Sequence, residues 1–256
     1  EIPQKWKNRP LQFNVPFEII LFTDDFLKKI NEFFQSQSQS QSQSQNNALE
    51  NNDNNKMFKF VNDYIYFWLN ERGKGHINYI QSILTMLGIL KADNPETEID
   101  SDTKTFTNSK AKYVSQFAKY KETIDYISNY IVFILVNFTD FDDNGSFTLI
   151  NYINTVFKNY TDIWGFLIAY IPIIEMMNEN KESLKDLDNI LFYSLKKILI
   201  KYLYTPRIKL FKISHLIKDL EEINKSLKQF SKIENQTINK TSKMTSSLTE
   251  TPATII

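Results

Sequence analysis

Apolar residues recur at intervals of three and four along most of this chain. That spacing places them on one face of an α-helix and polar residues on the other. The longest run is Tyr113, Phe117, Tyr120, Ile124, Ile127, Ile131, Ile134 and Phe138. It predicts one unbroken helix of about 28 residues, roughly 40 Å long at 1.5 Å per residue. Its last third is apolar on nearly every face, which predicts burial between neighbouring helices. Phe26, Leu27, Ile30, Phe33 and Phe34 form a shorter stripe, with Thr23, Asp24 and Asp25 placed to cap it. Pro16 suits a first helical turn, where its missing N–H has no intrahelical partner to lose.

The same reading divides the rest of the chain. Lys56–Arg72 predicts an aromatic-rich helix closed by Gly73. His76–Leu90 follows so closely that the two helices are expected to be antiparallel neighbours. Further helices are expected at Phe147–Tyr160, at Asp162–Met177 with a Thr161 cap and a kink at Pro172, and from Ser183 to about Tyr204. A last one carries Leu216, Leu220, Ile223, Leu227 and Phe230, with Ser214 as its cap. Together these predict an all-α fold of about eight helices, an irregular helical bundle or an armadillo/HEAT-like stack. Residues 1–13 read as an irregular lead-in and 14–233 as a single helical domain. Within that domain, the Gln/Ser/Asn tract 35–55 and the polar stretch 91–109 offer little to bury and are expected to be disordered insertions. The Thr/Ser/Asn-rich tail 234–256 is expected to be disordered.

Composition narrows the chemistry. The chain has 256 residues, 42% of them hydrophobic, so it can build a substantial core. Five glycines are too few to favour phosphate-binding loops, and the absence of cysteine excludes disulfides, thiolate zinc sites and cysteine nucleophiles. The formal net charge of +0 gives no general case for nucleic acid. The apolar stretches 130–136 and 164–177 fall short of the roughly 20 residues needed to cross a bilayer, so no membrane span is expected. Asn-X-Ser/Thr triplets are what an Asn-rich sequence produces by chance, and an intracellular, cytoplasmic or nuclear, location is expected.

Four features could carry function. Asp140, Asp142 and Asn144 alternate before Gly145, then Ser146 and Phe147. This pattern resembles an EF-hand calcium loop: alternate oxygen ligands, a glycine at the sharp turn, a backbone carbonyl from Ser146 and an apolar residue after it. Asn151 stands where the family places a bidentate glutamate, which removes an anionic ligand pair. Second, Lys196, Lys197, Lys201, Arg207, Lys209 and Lys212 open a lysine-rich stretch reaching Lys232; Lys201, Arg207, Lys209 and Lys212 are the residues it offers a partner, whereas solvated faces on two amphipathic helices are the better explanation. Third, Tyr64, Trp68, Tyr79, Tyr126, Tyr130 and Trp164 could line a partner groove, against the plainer alternative of core filling. Fourth, Glu175 sits in an apolar context beside Pro172, and His76 and His215 lie at helix starts with no metal-spaced companion. No nucleophile–base pairing or paired-acid arrangement emerges. The expected function is a non-catalytic scaffold or adaptor binding protein partners across a helical groove. No cofactor is expected beyond calcium at 140–151, and the alternatives are calcium-responsive binding there or basic-patch binding through 196–232.

Overall fold

The computed structural model describes residues 10–41, 49–91, 116–138, 140–142, 146–205 and 213–247, with side chains outside 38–41, 49–53 and 234–247. The fold is all-α. Its elements are a 3-10 segment at Phe17–Phe22, α1 (Asp24–Gln41), α2 (Leu49–Arg72), α3 (Ile77–Leu87) and a 3-10 turn at Ala118–Tyr120 leading into α4 (Lys121–Phe138). A two-residue hairpin follows, β1 (Asp140–Phe141) pairing antiparallel with β2 (Phe147–Thr148), with Asp140 opposite Thr148 and Phe141 opposite Phe147. Then come α5 (Ile150–Tyr152), α6 (Lys158–Ile168), α7 (Ile171–Glu179), α8 (Asp186–Leu199) and α9 (Ile213–Ser247). π-helical turns occupy Ile153–Phe157, between α5 and α6, and Ile200–Tyr204, after α8.

Contacts divide the chain into two compact units, Glu1–Ile171 with Leu199–Leu210, and Pro172–Ile198 with Phe211–Ile256. In the larger unit, α1 and α2 run antiparallel. The pairing follows from Phe26 on Tyr64 (5.0 Å between ring centroids), Phe33 on Phe60 (4.8 Å) and Lys56 Nζ donating to Gln37 Oε1 (3.0 Å). The α1 cap is as the sequence indicates: Phe26 N donates to Thr23 Oγ1 at 3.1 Å, and Tyr64 OH lies 2.7 Å from the same hydroxyl. α2 packs most extensively on α4. The two are also antiparallel, and Asn62 Nδ2 bridges Asp125 Oδ1 (2.9 Å) and Ser128 Oγ (3.0 Å). The expected closeness of α2 and α3 is thus secondary to a pairing between segments far apart in sequence. α3 ends in a left-handed Gly88 (φ 80°), with Ile89 N donating to Leu84 O and Gly88 N to Thr85 O, which satisfies its last carbonyls.

Several expected boundaries move, for identifiable reasons. The stripe from Tyr113 does not form one continuous α-helix across its described part: Phe117 (φ −109°, ψ 12°) leaves helical geometry and Ala118–Tyr120 is 3-10. Side chains three apart eclipse in a 3-10 turn, and here that buries Phe117 and Tyr120 together, rings 6.5 Å apart. Phe147 belongs to β2, so the next helix starts at Ile150. Thr161 does not cap. It lies inside α6 and its hydroxyl returns to Phe157 O at 2.8 Å. Pro172 does not kink a long helix; the chain turns at Ala169–Tyr170, and Pro172 sits in the first turn of α7, where no N–H is required. Ser183 closes a 3-10 turn by donating to Asn180 O, and α8 begins at Asp186. The Gln/Ser/Asn tract 35–55 was expected to be disordered, yet α1 runs to Gln41 and α2 starts at Leu49, with 42–48 outside the described residues. Glutamine is a good helix former, and the Lys56–Gln37 bond ties this end of α1 to α2. α9 likewise continues to Ser247, into the expected tail; once nucleated, a helix propagates at little cost per residue. The stretch 92–109 lies outside the described residues.

The 10–16 segment is pinned to α3 by a close backbone approach. Gly75 (φ +53°) precedes His76, whose N–H donates to Leu11 O at 2.9 Å. A Cβ at position 75 would lie 2.2 Å from that carbonyl oxygen. Gly75→Ala should therefore lose about 2 kcal/mol, from the left-handed backbone and the displaced hydrogen bond together. Chemical denaturation followed by tryptophan fluorescence checks this. Gly73→Ala (φ +81°, open space) should show only the conformational part.

Candidate functional site

Two places in the larger unit have a chemistry beyond plain packing. The first lies between α2 and α4. The core face of α4 carries Ile124, Ile127, Tyr130, Ile131 and Ile134, all fully buried. The helix remains apolar on its outer side, where Val132 and Phe133 are half-buried and Val136 is 52% exposed. The burial between neighbours that the sequence suggested for this face is not complete. Val132, Phe133 and Val136 instead form, with Phe58 of α2, the floor of an open groove of about 340 Å³. Its other described lining residues are Asn54, Asn55, Asn129 and Asn137, so among the described residues four carboxamides and no charged group border the apolar floor. Asn129 and Asn137 each donate Nδ2–H to the carbonyl four residues back, Asp125 O at 2.9 Å and Phe133 O at 2.8 Å. These bonds hold both carboxamides against the helix and leave their oxygens outside that contact.

The second is a buried carboxyl. Glu18 belongs to the 3-10 segment, whose six residues are all buried. Tyr152 OH donates to Glu18 Oε1 at 2.6 Å, while Oε2 has no partner among the described residues. Around it, Tyr130 OH donates to Tyr160 OH (2.9 Å), Tyr160 OH to Leu203 O (2.9 Å) and Tyr126 OH to Tyr204 O. Phe17 meets Tyr130 and Trp164 edge-on at 5.6 and 5.3 Å. Both π-helical turns border this cluster: Tyr152 immediately precedes one, and Leu203 and Tyr204 end the other. Burial pushes the Glu18 carboxyl up to about 7, only partly offset by the Tyr152 hydroxyl. Burial also raises Tyr130, Tyr152 and Tyr160 well above the ordinary phenol range, with the Glu18 charge adding to it. The cluster therefore holds a proton on Glu18 up to neutrality while its phenols stay neutral. Glu18 is fully buried, so its protonation bears on stability.

The sequence-indicated residues are placed as follows. Tyr64, Trp68, Tyr130 and Trp164 are core, so core filling accounts for those four, while Tyr79 and Tyr126 are half-buried. Glu175 is half-exposed on α7. His215 is exposed; His76 precedes α3, half-buried, its ring 5.3 Å from that of Phe13. In the EF-hand-like stretch, Asp142 N donates to Ser146 O and Asp142 Oδ1 accepts from Ser146 N, both at 2.8 Å. Asn151 Nδ2 donates to Asp140 Oδ2 at 2.9 Å, presenting a donor rather than an oxygen to that carboxylate. The hairpin is anchored to α1 by Phe147 N donating to Asn31 Oδ1 (2.9 Å) and by Phe34 against Phe141 (4.9 Å). Asp143, Asn144 and Gly145 lie outside the described residues, and no group of three or more His, Asp or Glu suited to a metal occurs among the described ones. Of the basic residues, Lys201 is exposed with its ammonium 5.0 Å from the Tyr202 ring centroid, and Lys196 lies over Phe192 at 5.1 Å, its amine lowered by burial and then by Lys181. Arg207, Lys209 and Lys212 lie outside the described residues.

Sequence reading missed both Glu18 and the groove. Glu18 could have been found as the one acid in Phe17–Phe22, an otherwise apolar run. The groove depends on which face of α4 its neighbours leave uncovered, and periodicity alone does not carry that. No described helix is long and apolar enough to cross a membrane. Neither a family model, nor a curated protein, nor a solved structure matches the chain.

Proposed function

We propose that this protein is a non-catalytic helical interaction module that engages a protein partner through the groove between α2 and α4. The observation supporting this reading is the open apolar floor of Phe58, Val132, Phe133 and Val136. An apolar strip left uncovered beside a packed helix pair is a standing gain for any partner that covers it. Each square ångström of apolar surface removed from water contributes about 25 cal/mol. None of the described lining residues is titratable, so those residues supply neither a general acid nor a general base, which favours a binding role.

Val136→Asp tests the reading with little risk to the fold, because that side chain already meets solvent. Burying the new carboxylate under a partner would weaken binding by about tenfold or more. The measurement is quantitative mass spectrometry of proteins retained by the full chain and by the variant, with thermal stability as the control. Partners retained by the wild type and lost from an equally stable variant support the module. Identical sets of retained proteins contradict it.

A further inference from the structure

The groove's rim says what kind of segment it holds. Resting on the interaction-module reading, we infer that the occupant is an extended, uncharged peptide segment recognised through its main chain by the asparagine carboxamides. A carboxamide carries the same donor and acceptor as a peptide group, so it can pair with an N–H and a C=O of a passing chain. Asn129 and Asn137 are eight positions apart on α4, which at 1.5 Å per residue is about 12 Å. A strand rises about 3.3 Å per residue, so four residues of extended chain cover about 13 Å. An extended segment along α4 thus brings main-chain groups four residues apart level with the two carboxamides. Residues i, i+2 and i+4 of such a segment share a side. Between the two carboxamides, its groove-facing side chains fall on Val132, Phe133 and Val136.

A helical partner fits less well. Its main-chain groups are already paired internally, so the carboxamides would meet only side chains. A charged segment fits less well still, because none of the described lining residues pairs with a charge and the floor would strip its water. The contacts of Asn129 and Asn137 with the carbonyls four residues back fix both side chains before anything binds, which limits the ordering cost of association.

The test is a titration of the full chain with three fluorescent peptide pools: uncharged and β-prone, the same pool with lysine or glutamate at alternate positions, and hydrocarbon-stapled helices. Wild type, Val136→Asp and the double variant Asn129→Leu/Asn137→Leu are compared. Preferential binding of the uncharged extended pool is expected, with loss of about tenfold or more in Val136→Asp and in the double variant. A backbone N-methyl scan of the best binder should show losses at two positions four residues apart. Groove-dependent binding that prefers stapled helices or charged peptides, or that survives the double variant and the N-methyl scan, overturns the inference and leaves the module standing. Binding of no pool in a Val136-dependent manner overturns the inference, and the module then stands or falls on the retention experiment with Val136→Asp.

Discussion

Trp164→Ala should be the most damaging single substitution in the larger unit, costing about 3–5 kcal/mol. The indole is fully buried at the centre of an aromatic cluster, with ring centroids 5.3 Å from Phe17, 5.7 Å from Tyr160 and 5.6 Å from Tyr204. Its Nε1–H donates to Phe13 O at 3.0 Å, so the side chain also fastens the segment before the 3-10 turn. Truncation leaves a cavity too hemmed by rings to collapse and strands the Phe13 carbonyl. Trp164→Phe keeps most of the volume and loses the hydrogen bond, so it should cost less than half as much. Urea unfolding read by circular dichroism checks both, because the remaining tryptophans would report differently in the variants. A loss below about 1 kcal/mol for Trp164→Ala would mean that the cluster is not a packed core.

Glu18→Gln should stabilise the protein above neutral pH and leave it nearly unchanged in mild acid. Below about pH 4.5 the carboxyl is protonated in both the folded and the unfolded chain and adds no pH dependence. Between 4.5 and about 7 the folded chain retains a proton that the unfolded chain releases, so stability falls as pH rises. Above about 7 both forms are ionised and the loss is complete. The rise from 4.5 to about 7 corresponds to roughly 3 kcal/mol, or on the order of 6–12 °C in Tm for a domain of this size. Glutamine keeps an oxygen to accept the Tyr152 hydroxyl and cannot ionise. Thermal melts of both proteins at about pH 5 and about pH 8 should therefore converge at the lower pH and separate at the higher, with the variant the more stable. Parallel pH profiles would show that Glu18 is solvated.

Much of the fold is legible in the sequence because helix stripes are a local property. The Thr23 cap, the Gly73 terminus and the four-three stripe of α9 follow from nearest neighbours along one helix. What moved was decided elsewhere. Phe117 and Tyr120 adopt a 3-10 turn to enter the core together, and Pro172 opens a helix because the chain had already turned at Ala169–Tyr170. The helical Gln/Ser tract reflects a contact with α2 that composition does not encode. The candidate site was less legible than the fold. Asp140–Ser146 drew notice through ligand spacing, which is written in sequence. Glu18 and the α2–α4 groove arise from burial and from its incompleteness, which depend on residues more than forty positions away.

The groove's occupancy can be followed at one atom, because the chain contains no cysteine. Val136→Cys puts a single thiol on the groove floor, and its rate of alkylation reports access directly. Rapid labelling of the free protein is expected, with labelling slowed at least about tenfold when the retained partner is added at saturation. A rate unchanged by the bound partner would place that partner elsewhere on the molecule and rule out the groove as its site.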